Sequence, residues 1–165
     1  MPKLRGFGLF GLGKCFAPTG DRLMINLVIV SHGDLGEALI RATEMITGPT
    51  EHLFAVSLLP GESPEGFGAK LAAALEPLEG QETLLLVDLF GGTPYNVAAR
   101  QVLKENVECV TGVNLPMLLE LVMARDNAAS LAALAESMAQ KGQGSIRNLG
   151  PMLRGKEATS QRMSA

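Results

Sequence analysis

The sequence predicts an α/β fold: a three-layer sandwich on a mostly parallel sheet of order 2-1-3-4. Three observations lead there. Short, continuous apolar runs such as Leu27-Val28-Ile29-Val30 and Leu84-Leu85-Leu86-Val87 have the length and composition of strands buried on both faces. Stretches with apolar residues at helical spacing alternate with these runs, which calls for parallel strands joined by right-handed crossovers. Both runs also break off abruptly, one into Ser31-His32-Gly33-Asp34 and the other into Asp88-Leu89-Phe90-Gly91-Gly92-Thr93-Pro94. In open α/β sheets such strand ends are where ligands bind.

Composition sets the limits. The chain has 165 residues, a length that suits one domain, and 47% of them are hydrophobic, enough for a real core. The net charge is -3 and the basic residues are scattered, so no nucleic acid is expected as a partner. Trp is absent and aromatic residues make up 4%, which argues against stacking platforms for bases or sugars. Cys15 and Cys109 form neither a metal-type spacing nor a disulfide framework, so a reducing, cytoplasmic setting is the simplest reading. Nothing in the spacing calls for a metal or a cofactor. No apolar run reaches membrane-spanning length.

Residues 1–23 differ from the rest of the chain. Glycines break their apolar part and no small-x-small cleavage site precedes Met24, so they read as a disordered extension or as sequence upstream of a true start at Met24. The expected domain covers residues 24–150. Its first strand runs from Ile25 to Ser31. Asp34 then reads as a helix N-cap with Glu37 completing a capping box, and Gly48-Pro49 ends that helix. Leu53 to Leu58 is the second strand. Ser63 and Pro64 open the next helix, with Phe67, Leu71, Leu75 and Leu78 as its buried stripe. Thr83 to Asp88 is the third strand, and Thr93-Pro94 reads as cap plus first turn of a helix reaching Lys104. The fourth strand, Val107 to Val110, precedes a helix from Pro116 to Arg125 and another from Ser130 to Lys141, stopped by Gly142 and Gly144. Ser145 to Leu149 has the pattern of a last strand. Residues 151–165 are polar and breaker-rich, a frayed tail.

With strand order 2-1-3-4, the order reverses between the first and third strands. His32 ends the first and Asp88 the third, so the two side chains should sit together. Imidazole titrates near pH ~6.5 and is nucleophilic when neutral. A carboxylate on one ring nitrogen fixes the tautomer, frees the lone pair of the other, and stabilises positive charge on the ring. The Gly91-Gly92-Thr93 turn opens a helix, where unpaired backbone N–H groups suit phosphate oxygens. Phosphoryl transfer needs positioning and charge stabilisation, which these residues could provide. Taken singly, each also has a plainer reading: a polar loop histidine, a tight turn, a common helix start. His52 lacks an implied carboxylate partner and reads as a surface or edge histidine.

Three ordered motifs carry a more specific resemblance. Residues 27–46 (LVIVSHGDLGEALIRATEMI), 84–100 (LLLVDLFGGTPYNVAAR) and 112–125 (GVNLPMLLELVMAR) together resemble the mannose-type (mannose/fructose/sorbose) IIA domain of the bacterial phosphoenolpyruvate-dependent sugar phosphotransferase system. The resemblance implies a phosphocarrier with protein-histidine phosphotransferase activity. His32 would take the phosphoryl group on Nε2, Asp88 would hydrogen-bond its Nδ1, and Gly91, Gly92 and Thr93 would lie at the phosphate. Phosphorylated HPr would be the donor and a separate IIB protein the acceptor, with the IIC and IID membrane components served indirectly. The resemblance also implies a homodimer that exchanges a C-terminal antiparallel strand, at the position of Ser145 to Leu149. Two alternatives remain at this point: a regulatory protein whose phosphorylation state a partner reads, and an α/β module that binds a small molecule without a covalent step.

Overall fold

In the computed structural model of the protein, residues 24–154 are described. The expected N-terminal extension, residues 1–23, and residues 155–165 of the expected tail lie outside the described residues. Four strands form one parallel sheet: β1 (Asn26–His32), β2 (Leu53–Leu58), β3 (Thr83–Val87) and β4 (Val107–Thr111). Their order is β2-β1-β3-β4, the order expected. In register, Leu27 lies beside Leu53 on one side and Leu84 on the other, and Val30 beside Val56 and Val87.

Period-two alternation sorts the apolar residues into two cores. Leu27, Ile29, Leu84 and Leu86 face one side, where they meet α4 (Leu115–Ala124), α5 (Leu131–Gly144) and the inner stripe of α1 (Leu35–Thr47). Val28, Val30, Leu85 and Val87 face the other, against α2 (Pro64–Leu75) and α3 (Thr93–Ala98). Burying one such side chain stabilises the fold by about 2 kcal/mol, so both faces of β1 and β3 are fixed and a register slip is strongly disfavoured. The layers are therefore three, with the sheet in the middle.

Several local expectations need correction. The Asp34–Glu37 capping box does not form: Asp34 is the N-cap of α1 but its side chain caps nothing. The Ser31 hydroxyl accepts the Gly36 N–H instead, at 3.0 Å. Both Glu37 carboxylate oxygens accept from the Ser57 hydroxyl, at 2.9 and 2.8 Å, which draws Glu37 away from the helix end. Thr93 is the first residue of α3 rather than its cap, which is Gly92. Gly142 lies inside α5 because that helix presses on Met117; a Cβ there would come within 2.6 Å of the Met117 sulfur.

Ser145 to Leu149 is not a strand within this chain. Ser145 is a turn, residues 146–148 are irregular, and residues 149–154 are helical. The reason lies in the backbone: the Ser145 and Ile146 N–H groups close onto the carbonyls of Gly142 and Gln143, extending the end of α5 rather than pairing with a sheet edge.

Candidate functional site

Strand alternation aims the site. In β1 the even positions face α2 and α3, so His32, at the end of the strand, points to the α3 side. Asp88 is the first residue beyond β3, the neighbouring strand across the point where strand order reverses. Its backbone N–H still reaches the Val30 carbonyl, at 3.4 Å, so the residue is held at the strand end.

The sequence predicts that His32 and Asp88 meet, and they do. The His32 backbone N–H donates to Oδ2 of Asp88 at 2.9 Å, and His32 Nδ1 contacts the same oxygen at 2.9 Å. Asp88 Oδ1 accepts the Leu89 N–H at 2.8 Å, so both carboxylate oxygens are engaged. A carboxylate only accepts, which puts the proton on Nδ1 and leaves the lone pair on Nε2. The Asp88 side chain is 9% exposed and the His32 side chain 46%: the orienting group is shielded while the ring is open to a visitor.

The Gly91-Gly92-Thr93 turn lies on the other edge of the ring. Gly91 has φ 84, a conformation that favours glycine. Gly92 matters for space: a Cβ there would lie 3.0 Å from His32 Cε1 and 3.5 Å from Nε2. Backbone and imidazole can approach only because that atom is missing. Thr93, half-buried, follows as the first residue of α3. His32 thus stands between Asp88, which it contacts, and Gly92, with Gly91 and Thr93 on either side of Gly92.

The β2 side of the rim is braced. The Gly33 N–H donates to the Leu58 carbonyl at 2.8 Å. Lys70 donates to the Ser57 carbonyl at 2.9 Å and pairs with Glu62, whose Oε2 accepts the Leu59 N–H at 2.7 Å. That backbone N–H, and then Lys70, hold the Glu62 carboxyl below its usual range. These groups were not legible as a unit in the sequence, because Ser57, Glu62 and Lys70 meet only when β2 and α2 pack. Leu35, at the start of α1, and Leu59, Leu89 and Phe90, in the turns that follow β2 and β3, stand exposed.

His52, expected as a surface or edge histidine, lies away from the site and is half-buried. It sits at the opposite end of β1, with φ 55, its Nδ1 2.9 Å from Asn26 Oδ1 and its carbonyl accepting from Arg125 at 3.2 Å. A cleft of about 670 Å³ runs along the free edge of β4, lined by Phe90, Tyr95, Cys109, Met117, Ala135 and Ile146 among others. Burial pushes the Cys109 thiol up to about 11, with Glu108 adding to the effect. Among the described residues no group of His, Cys, Asp and Glu side chains is placed to hold a metal ion, and no helix is long and apolar enough to cross a membrane.

Known proteins resemble this chain in sequence and fold. The family model EIIA-man, described as "PTS system fructose IIA component", matches residues 26–159. The chain is 40% identical over 125 residues to the mannose-specific EIIAB component of the Escherichia coli (strain K12) PTS, a match covering 73% of this chain and 39% of that protein's length. It is 41% identical over 108 residues to the fructose-specific EIIA component of Bacillus subtilis (strain 168), covering 64% of this chain and 74% of that one. The structure of the mannose/sorbose-specific IIA subunit from Enterococcus faecalis superposes with a TM-score of 0.70 at 33% identity, covering 74% of this chain and 92% of that one. With the sheet order and the match over residues 26–159 in agreement, the chain belongs to the EIIA-man family of sugar phosphotransferase system components.

Proposed function

We propose that the protein is a phosphocarrier whose His32 accepts a phosphoryl group from phosphorylated HPr and passes it to a IIB protein. The observation that carries this reading is the double contact of His32 with Asp88 Oδ2, which leaves Nε2 as the free nucleophile beside Gly92. In the forward step the P–N bond of the donor phosphohistidine breaks as a bond from phosphorus to Nε2 forms. The Nδ1 proton stays on the ring, and the Asp88 carboxylate offsets the positive charge that Nε2 phosphorylation creates there. Gly91, Gly92 and Thr93 surround the phosphoryl oxygens with backbone N–H groups and one hydroxyl.

A protein, not a sugar, suits the rim. Leu35, Leu59, Leu89 and Phe90 present apolar area around a half-exposed histidine, the composition of a docking face rather than of a sugar pocket. The working form is a homodimer built on the open edge of β4. Among the described residues that strand pairs only with β3, and a cleft with apolar walls follows its free side, ready for a segment of a second copy. The expected domain, residues 24–150, would then act in the cytoplasm.

The test is transfer from labelled phosphoenolpyruvate through enzyme I and HPr. Wild-type chain should gain an acid-labile, base-stable label that maps to the peptide bearing His32, and His32→Ala should gain none. Label on His32→Ala would remove the assignment.

A further inference from the structure

We propose that Ser31 is a positioning residue for phosphoryl transfer: its buried hydroxyl ties the start of α1 to the end of β1 and so holds the turn that carries His32. The proposal rests on the reading of His32 as the carrier.

Ser31 follows the apolar run Leu27–Val30 of β1 and is 0% exposed. A hydroxyl buried so completely needs a partner, and it has one in the Gly36 N–H, at 3.0 Å. This bond replaces the ordinary cap of α1, since the Asp34 side chain makes no capping bond. It closes a short loop of main chain, and His32, Gly33, Asp34 and Leu35 are the residues inside it. Alternation in β1 sends Ser31 to the α1 face and His32 to the opposite face, so neighbouring residues grip opposite layers.

The seat of α1 is tight. A Cβ on Gly36 would lie 3.0 Å from Ala55 Cβ, 3.1 Å from Ser31 Oγ and 3.3 Å from Ile29 Cγ2. Gly33 sits in the turn at φ 54, with its N–H on the Leu58 carbonyl. Main chain around His32 is therefore pinned from three directions: by Leu58 on β2, by Asp88 beyond β3, and by Ser31 to α1. Asp88 Oδ2 serves both the His32 backbone N–H and its ring, so a rotation of that backbone turns the ring away from its acceptor. The Ser31 bond is the tie that resists such a rotation from the helix side.

The test uses the full chain in the coupled transfer assay, with Ser31→Ala, Gly36→Ala and Thr43→Ala. Thr43 is buried two turns further along α1, where its hydroxyl bonds the Leu39 carbonyl, and it serves as a control for lost stability alone. Ser31→Ala should lower the rate at saturating phosphorylated HPr about tenfold, as small misplacements of a reacting group do, with the half-saturating concentration within about twofold. The ¹⁵N spectrum of its His32 should show the Nε2–H tautomer that the wild type lacks. Gly36→Ala, which pushes the helix off Ser31 while keeping the hydroxyl, should repeat both effects even if Ser31→Ala does not fold. Thr43→Ala should lower the melting temperature and keep rate and tautomer. A wild-type rate in Ser31→Ala, or in Gly36→Ala where only that variant folds, overturns the proposal. So does a rate loss that Thr43→Ala matches. Label uptake by His32→Ala in the same assay removes the carrier reading and this proposal with it, whereas a blank His32→Ala beside a full-rate Ser31→Ala overturns the proposal alone.

Discussion

One oxygen atom, Oδ2 of Asp88, holds both the backbone N–H and the ring Nδ1 of His32, each at 2.9 Å. Strand end and side chain are fixed by the same acceptor, so the direction of Nε2 is set by main-chain geometry as much as by a rotamer. The carboxylate stands beside the strand as an acceptor past the last residue of β3.

Asp88→Ala should therefore have two separable effects. Transfer to His32 should slow about 100-fold, because the tautomer and the ring position are both released. Stability should drop by about 1–3 kcal/mol, since the His32 and Leu89 N–H groups lose their acceptors. Rapid-quench labelling and urea unfolding measure the two. An unchanged transfer rate would take Asp88 out of the mechanism.

Gly92→Ala should block the site without unfolding it. The new methyl would crowd Cε1 and Nε2 of His32, at 3.0 and 3.5 Å, while Gly92 itself sits at φ -80, which alanine tolerates. Phosphorylation should fall about 100-fold with a melting temperature within about 2 °C of wild type. Gly91→Ala is the contrasting case. At φ 84 with nothing near its Cβ position, it should act through backbone strain and lower stability by about 1 kcal/mol. Equal rates in wild type and Gly92→Ala would show that Nε2 is reached from elsewhere.

Arg125 should matter for stability and not for transfer. It is 9% exposed and donates to the carbonyls of Ile25, Glu51 and His52, tying α4 to the far end of the sheet from His32. Burial lowers its pKa from the usual value, with Asp126 and Glu51 opposing that shift. Arg125→Met should cost about 3 kcal/mol by leaving three carbonyls short of a donor. Its rate of label uptake at 25 °C should equal that of wild type; a large drop would mean that the two ends of the sheet are coupled.

Cys109 gives a pH prediction whose sign can be worked out. Its folded-state value is raised, to about 11 from an ordinary 9.0, because burial disfavours the thiolate. As pH climbs through that interval the unfolded chain loses the thiol proton and the folded chain keeps it. The unfolded state then binds fewer protons, and stability falls with rising pH. Below the ordinary value the contribution is complete. Cys109→Ser should flatten the dependence of urea stability on pH across this window. Alkylation of folded protein should stay slow until the pH approaches the raised value; fast alkylation at pH 8 would contradict the burial argument.

Much of this molecule was legible in advance because two periodicities dominate it. Runs such as Leu84-Leu85-Leu86-Val87 admit little besides a strand covered on both faces, and strands alternating with helices leave little besides a parallel sheet. His32, Asp88 and Gly91-Gly92-Thr93 followed, because topology alone brings the ends of β1 and β3 together. The sequence was least informative where contacts cross between elements. Asp34 and Glu37 have the spacing of a capping box, yet Ser31 and Ser57, brought up by β1 and β2, take over their bonds. A signal for Ser31 was present, a hydroxyl at the buried end of an apolar strand, but its partner is identified only by the packing of α1. Ser145 to Leu149 reads as a strand by composition, whereas its backbone closes onto the end of α5.

By itself, then, the sequence determined the layers and the alternation of strands with helices, since these depend on burial patterns that each segment carries within itself; with the expected strand order they put the ends of β1 and β3 side by side. Tertiary structure alone decided which way the His32 ring faces, how close Gly92 comes to it, and what ties the turn at Ser31. Those depend on distances of about 3 Å between atoms from different segments, and no periodicity within one segment encodes the position of another.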